Sequence, residues 1–146
     1  MTTFTIEDIL ELDPCEEYTR EKLEELWEGK ESLTLREILE LTIPIDDRNW
    51  VMPRLVPTEI VIKWAHLCAH EAKKHATTAN AARSATNAAE YADAARYAAA
   101  GSAAWYAAWY AANAARYAGS VWDKTRDKEL YRLLTILCDM EERCTQ

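Results

Sequence analysis

Residues that end or bend a helix are scarce, since only three glycines and four prolines occur among the 146 residues. No segment alternates apolar and polar residues with the β-branched enrichment of a strand, so we predict no strands. The chain also has no run of about 18 or more apolar residues, and no basic segment followed by a short apolar one. We therefore expect a single all-α domain, with no membrane span or secretion signal, in the cytoplasm.

Cysteine occurs without the paired spacing of a metal site. Cys15, Cys68, Cys138 and Cys144 include no Cys-X-X-Cys motif, which argues against structural zinc. In a reducing compartment we expect free thiols, with Cys68 and Cys138 acting as small apolar residues on helix faces.

Residue patterns typical of catalysis are also missing. The sequence has neither a Gly-rich phosphate loop nor a Gly-X-Ser-X-Gly motif. His66 and His70 are four residues apart, with Glu71 and His75 beyond, but the zinc-protease pattern requires Glu where this chain has Leu67. The glutamates of residues 16–28 are typical of a solvated helix face. We predict no enzyme, no metal and no cofactor.

Charge is distributed unevenly along the chain, whose net charge is −8. Residues 1–57 carry 15 acids and 6 bases, residues 58–118 carry 4 and 6, and residues 119–146 carry 6 and 5. An acidic chain has no general attraction for phosphates, so duplex nucleic acid is not an expected partner. We expect these ranges to be an acidic helical part, an alanine-rich part and a C-terminal amphipathic helix of one domain.

Several helix boundaries can be predicted from local signals. Residues 13–16 (Asp-Pro-Cys-Glu) and residues 34–37 (Thr-Leu-Arg-Glu) both have the pattern of a capped helix start, and Gly29 is suited to end the helix between them. Residues 43–57 contain three prolines. We predict a connector there with at most one short helix, around residues 46–52.

Alanine dominates the middle of the chain, where it occupies 21 of the 40 residues from 79 to 118. Alanine has the highest helix propensity, and its small side chain lets helices approach closely. One helix over residues 58–118 would be about 90 Å long, so we predict breaks near residues 77–78, 101–102 and 119–120. The predicted fold is a helical bundle with alanine-rich, closely packed antiparallel helices. Its last helix has an apolar stripe formed by Leu130, Leu133, Leu134, Leu137 and Met140.

Large aromatic rings and arginines are placed among these alanines. Such a stripe can be internal packing, but Tyr, Trp and Arg are also the residues enriched at binding sites. Flat rings beside guanidinium groups suit a nucleotide-like ligand, with stacked base and bound phosphate. In that hypothesis Arg96 and Arg116 hold phosphate in an oligomer's pocket. The stacking residues are then Tyr97, Trp105, Tyr106, Trp109 or Tyr110.

A second polar and aromatic cluster lies in the proline-rich connector, where Asp46, Asp47, Arg48, Trp50 and Arg54 occur close together. One interpretation is a network that locks the fold, with Arg48 paired to an acidic group and Trp50 filling the junction. The other is that Arg48, Trp50 and Arg54 contact a ligand or partner.

The order of these features resembles a known group of proteins. Residues 13–16 (Asp-Pro-Cys-Glu), residues 47–54 (Asp-Arg-Asn-Trp-Val-Met-Pro-Arg) and the alanine-rich helices that follow are similar to alanine-rich helical proteins of bacteria and phages labelled immunity proteins. The likeness extends from about Asp13 to Ala118. It implies a non-catalytic role in conflict between toxins or defence systems and their targets, in the cytoplasm of a bacterial cell. It implies no catalytic residues.

Two functional hypotheses follow. The first is a binding protein of immunity, or of phage anti-defence, that sequesters a small nucleotide signal in a homo-oligomeric pocket. The alternative is an inhibitor or immunity protein that blocks a toxin or defence effector through the acidic surface of residues 1–57.

Overall fold

The computed structural model describes residues 1–74 and 126–144, together with Arg83, Thr86, Asn87 and Glu90. This part of the chain is mainly helical, which confirms the all-α prediction. No described helix has both the length and the apolar character needed to cross a bilayer. The elements are β1 (Thr3–Phe4), α1 (Ile6–Glu11), α2 (Arg20–Trp27), β2 (Leu33–Thr34), α3 (Leu35–Leu39), α4 (Ile45–Leu55), α5 (Thr58–Lys74) and α6 (Arg126–Cys144).

A short strand pair, which we did not predict, joins the N-terminus to the segment before α3. Thr3 is opposite Thr34 and Phe4 is opposite Leu33 in an antiparallel arrangement. Each strand has two residues, too few for alternation of apolar and polar side chains to be recognised in the sequence.

The predicted capping box at the start of α3 is confirmed. The Thr34 hydroxyl accepts from the Glu37 N–H at 3.1 Å, and the Thr34 N–H donates to the Glu37 carboxylate at 2.8 Å. The predicted helix end near Gly29 is also present, because α2 ends at Trp27 and Gly29 has a φ of 80°. Glycine adopts this left-handed conformation without the steric penalty of a Cβ atom.

The predicted helix start at residues 13–16 is wrong. The next helix, α2, begins at Arg20, and its cap is Thr19, whose side chain accepts from the Lys22 N–H at 3.2 Å. Asp13 has a φ of 55° and donates its N–H to the Leu10 carbonyl, so it ends α1. A cap residue needs extended backbone, and Asp-Pro follows helices as readily as it begins them.

Helix α4 is longer than predicted, because it continues through Pro53 to Leu55. Pro44 precedes its first residue, and the Pro44 carbonyl accepts from the N–H groups of Asp47 and Arg48. Pro53 lies in the last turn, where its missing N–H removes one bond near the helix end and leaves the preceding turns intact. Pro44 and Pro57 therefore border α4, and Pro53, inside its last turn, does not divide it.

The apolar stripe of α6 forms the centre of the core. Leu130, Leu133, Leu134 and Leu137 are buried and Met140 is half-buried, as predicted. Helices α3, α4 and α5 all pack against α6.

Helix α5 is tied to α6 by a buried hydrogen bond. The indole Nε1 of Trp64 donates to the Leu133 carbonyl at 2.7 Å, and the Trp64 side chain is fully buried.

A network of partly exposed ion pairs joins α3 to the C-terminal end of α6. The Arg36 guanidinium lies 2.7 Å from the Asp139 carboxylate and 2.8 Å from that of Glu142. The hydrogen bond from Arg36 lowers the pKa of Glu142. All three side chains are partly exposed, so we expect this group to orient α6 more than to stabilise it.

Trp64→Phe tests the hydrogen bond between α5 and α6. The substitution removes the indole donor and some volume at a buried position, and we expect a loss of about 1–3 kcal/mol in the free energy of unfolding. The matched control is Trp27→Phe, because Trp27 is also buried but its Nε1 lies 3.4 Å from its acceptor, the Phe4 carbonyl. Urea denaturation should show the larger loss for Trp64→Phe, and equal losses would contradict this account.

The cysteines differ in their expected reactivity. All four are free, with Cys15 and Cys144 exposed and Cys68 and Cys138 buried, in agreement with the prediction of reduced thiols. Burial raises the pKa of Cys138 to about 12 and that of Cys68 well above its ordinary value. The reactive thiolate is therefore suppressed at both buried positions.

Alkylation at pH 8 followed by peptide mass mapping should modify Cys15 and Cys144 in the folded protein. Cys68 and Cys138 should react only in urea. If Cys68 is labelled as fast as Cys15 without denaturant, Cys68 is not buried in the folded protein.

Candidate functional site

A cavity of about 440 Å³ lies in the N-terminal part, bordered by residues from α1, α2, α3 and α4 and from the segments between them. Its volume falls in the range of roughly 300–1,000 Å³ that is usual for ligand pockets. The described residues that line it are Ile9, Asp13, Pro14, Cys15, Tyr18, Leu23, Leu26, Trp27, Ile38, Leu41, Ile43, Asp46, Asp47, Trp50 and Val51.

The inner part of this cavity is apolar. Ile9, Leu23, Trp27 and Ile38 belong to the buried core and also line the cavity. Leu26 is only partly buried and packs against the same core. The cavity is therefore an opening in the hydrophobic core, and its inner surface is suited to contact an apolar group.

The rim of the cavity is acidic. Asp13 and Asp46 are exposed, Asp47 is half-buried, and no Lys, Arg or His occurs among the described residues that line the cavity. Asp46 and Asp47 lie in the first turn of α4, where the helix N-terminus stabilises negative charge. An occupant with a positive charge near the rim is thus favoured, and an anion is disfavoured.

A hydrogen bond joins two of the segments that line the cavity. Tyr18 belongs to the irregular segment after α1, and its hydroxyl donates to the carboxylate of Asp47 on α4. Burial, with the hydrogen bond to Asp47, raises the pKa of Tyr18, so the hydroxyl stays protonated and remains a donor at neutral pH. The contact connects the irregular segment to α4.

Trp50 and Arg54 form a stacked pair on α4. The guanidinium carbon of Arg54 lies 4.2 Å from the centroid of the Trp50 ring, and Arg54 Nη1 donates to the Trp50 carbonyl. Trp50 lines the cavity, whereas Arg54 is not among the described lining residues. Arg54 therefore supports the ring, which contributes an aromatic surface to the cavity.

Arg48 has a structural position. Its Nη1 donates to the carbonyl of Leu39, the last residue of α3, at 2.8 Å. One interpretation predicts an acidic partner for Arg48; within the described residues its hydrogen-bond partner is this backbone carbonyl at a helix end, which lacks an intrahelical partner. The predicted connector cluster thus divides: Asp46, Asp47 and Trp50 line the cavity, Arg54 supports Trp50, and Arg48 binds the end of α3.

All seven residues predicted to contact a nucleotide lie outside the described part of the chain, and their role stays a prediction. They are Arg96, Tyr97, Trp105, Tyr106, Trp109, Tyr110 and Arg116. His75 also lies outside it. Among the residues that the structure does describe, including His66 and His70, no group of three or more His, Cys, Asp and Glu side chains could hold a metal ion.

The cavity was not predicted from the sequence, although two of the segments that line it carry patterns noted there. Residues 13–16 contribute Asp13, Pro14 and Cys15, and residues 47–54 contribute Asp47, Trp50 and Val51. No sequence signal indicated that they meet, because the contact depends on Tyr18 and on how α4 packs. Comparison with protein families, curated proteins and solved structures finds no match.

Tyr18→Phe tests the link between the irregular segment and α4. Removing the hydroxyl leaves the half-buried Asp47 without this donor, and we expect the free energy of unfolding to fall by about 0.5–1.5 kcal/mol. Tyr131→Phe is the matched control, because the Tyr131 hydroxyl also donates to a carboxylate, that of Glu40, but its side chain is exposed. There water replaces the lost bond, so the change should stay within about 0.5 kcal/mol. Equal losses in urea denaturation would mean that the Tyr18 bond contributes no more than a surface contact.

Proposed function

We propose that this chain is a non-catalytic binding protein that acts by sequestration, and that its acidic N-terminal part binds a basic protein such as a toxin or a defence effector. The observation that supports this most directly is the cavity of about 440 Å³ with an apolar interior and an acidic rim. An apolar centre surrounded by charged groups is the usual arrangement of a protein-binding surface.

The charge of the surrounding surface supports the same partner. Residues 1–57 carry 15 acids and 6 bases, and the acids of α2 at Glu21, Glu24 and Glu25 are exposed. Such a surface attracts basic proteins from a distance and repels acidic ones. The resemblance to immunity proteins supports a setting in which a toxin or a defence effector is the partner.

A nucleotide signal is disfavoured as the occupant of this cavity, because its phosphates would lie near three aspartates. The hypothesis of a nucleotide pocket in a homo-oligomer depends instead on the rings and arginines between residues 96 and 116. It remains a separate prediction, which calorimetry with cyclic and linear nucleotides would test.

The proposal predicts charge-selective, salt-sensitive binding. A synthetic amphipathic peptide of about 12 residues with Arg and Leu should bind the protein in fluorescence anisotropy, and the same peptide with Glu for Arg should not. Because the attraction is largely between exposed charges, affinity should fall at least about tenfold between 50 and 300 mM NaCl.

The control is an α2 variant, Glu21→Gln with Glu24→Gln, which removes two exposed negative charges outside the cavity. It should weaken binding of the basic peptide modestly and reduce its dependence on salt. Equal affinity for the basic and acidic peptides, or no binding of either, would contradict the proposed function.

A further inference from the structure

We infer that the cavity receives one large apolar side chain of the partner and that a neighbouring arginine or lysine of the same segment binds at the acidic rim. This inference rests on the proposed function, since it assumes a basic protein partner. It adds the chemistry of the recognised segment, an apolar residue flanked by a basic one, and assigns the cavity as the anchoring site.

Apolar side chains that line the cavity are only partly buried, which favours an apolar side chain as its occupant. Leu26 and Trp50 are partly buried residues that pack against the core and line the cavity. Ile43, in the segment before α4, also lines it and is only partly buried. Water in contact with these side chains is released when an apolar group enters, which favours binding by about 25 cal/mol per Å² of apolar surface covered. An apolar side chain in a pocket is also the common form of an interface hot spot.

The position of the rim carboxylates favours a basic residue of the partner beside the apolar one. Asp46 is exposed and Asp47 half-buried on the first turn of α4, and exposed Asp13 lines the cavity from the segment after α1. Because Asp13 and Asp46 are exposed at the rim, a positive group can approach them while its stem or its neighbour lies on the apolar interior. A basic side chain therefore does not have to be buried, which avoids a large desolvation penalty.

Trp50 affects the recognition of both the apolar side chain and its basic neighbour. Its ring lines the cavity, and Arg54 stacked at 4.2 Å reduces the attraction of the ring for a second cation. The ring surface in the cavity is then better suited to an apolar side chain, and the cation is directed to the aspartates. This separation is why the recognised segment needs two adjacent side chains and not a basic residue alone.

The experiment uses a short acetylated and amidated probe peptide, Gly-Arg-Phe-Arg-Gly, and two derivatives. One derivative replaces Phe by Ala, and the other replaces both Arg residues by Gln. Calorimetry with the full chain should show binding of the probe and at least about tenfold weaker binding of each derivative, since both parts of the site contribute.

Two pairs of protein variants localise the site. Asp46→Lys should weaken binding of the probe at least about tenfold, whereas Glu24→Lys, the same charge change outside the cavity, should weaken it less than about threefold. Ile43→Trp, which fills the cavity, should weaken binding similarly, and Ile6→Trp, at a partly buried position that is not among the lining residues, should not. Circular dichroism establishes whether each variant is folded. If Ile43→Trp does not fold, the comparison of Asp46→Lys with Glu24→Lys tests the location of the site.

The outcomes separate this inference from the proposed function. Equal effects of Asp46→Lys and Glu24→Lys would overturn the cavity as the anchoring site. Binding of the longer basic peptide together with no binding of the probe would do the same, and in both cases the acidic surface would still bind a basic partner. Failure of every basic peptide would overturn both.

Discussion

The apolar face of α6 is the surface on which the rest of the described chain depends. Helices α3, α4 and α5 all pack against it, and its central leucines are buried. Removing one such side chain typically costs about 2–5 kcal/mol, a large part of the net stability of a domain this size. The fully buried hydrogen bond from Trp64 to Leu133 sets how α5 lies along α6, because an indole donor without its acceptor would be costly there.

The position of the cavity follows from this packing. Ile45, Asn49 and Met52 are buried residues of α4, which is held against α6. Asp46 and Asp47 lie four and three residues before Trp50, so all three share a neighbouring face of the same helix, the face that lines the cavity. Helix α4 is therefore a wall supported from behind by α6, and the acidic and aromatic groups on it are held by the core and not by a mobile loop.

The rim carboxylates have a structural reason that does not depend on the proposed function. Asp46 and Asp47 are stabilised by the N-terminus of α4, and Asp47 also accepts the Tyr18 hydrogen bond. Acidic residues at this position would thus be expected without any partner. What the helix does not explain is the apolar interior left open beside them, since closing it would bury more apolar surface and stabilise the fold. The combination, and not the charge alone, is what supports the proposed binding site.

Sequence analysis was most successful where one local interaction decides the structure. The capping box at Thr34, the helix end at Gly29 and the leucine stripe of α6 each depend on spacing within one or two turns, and each is present. It failed at residues 13–16, where the same Asp-Pro pattern can end one helix or begin another. The choice was made by Asp13, which closes α1 in a left-handed conformation. The strand pair and the cavity were missed because both require residues distant in sequence to meet.

Residues 13–16 and residues 47–54 illustrate this limit. Their local patterns predicted a helix start at residues 13–16 and placed residues 47–54 within a connector over residues 43–57, two unrelated structural roles. In the structure both segments line the same cavity, and Tyr18, three residues after Cys15, donates a hydrogen bond to Asp47, which also lines it. Because both segments line one cavity, a single proposed site accounts for them more simply than two unrelated structural roles do. For that reason the cavity, more than either motif, is the part of the described chain that the proposed function depends on.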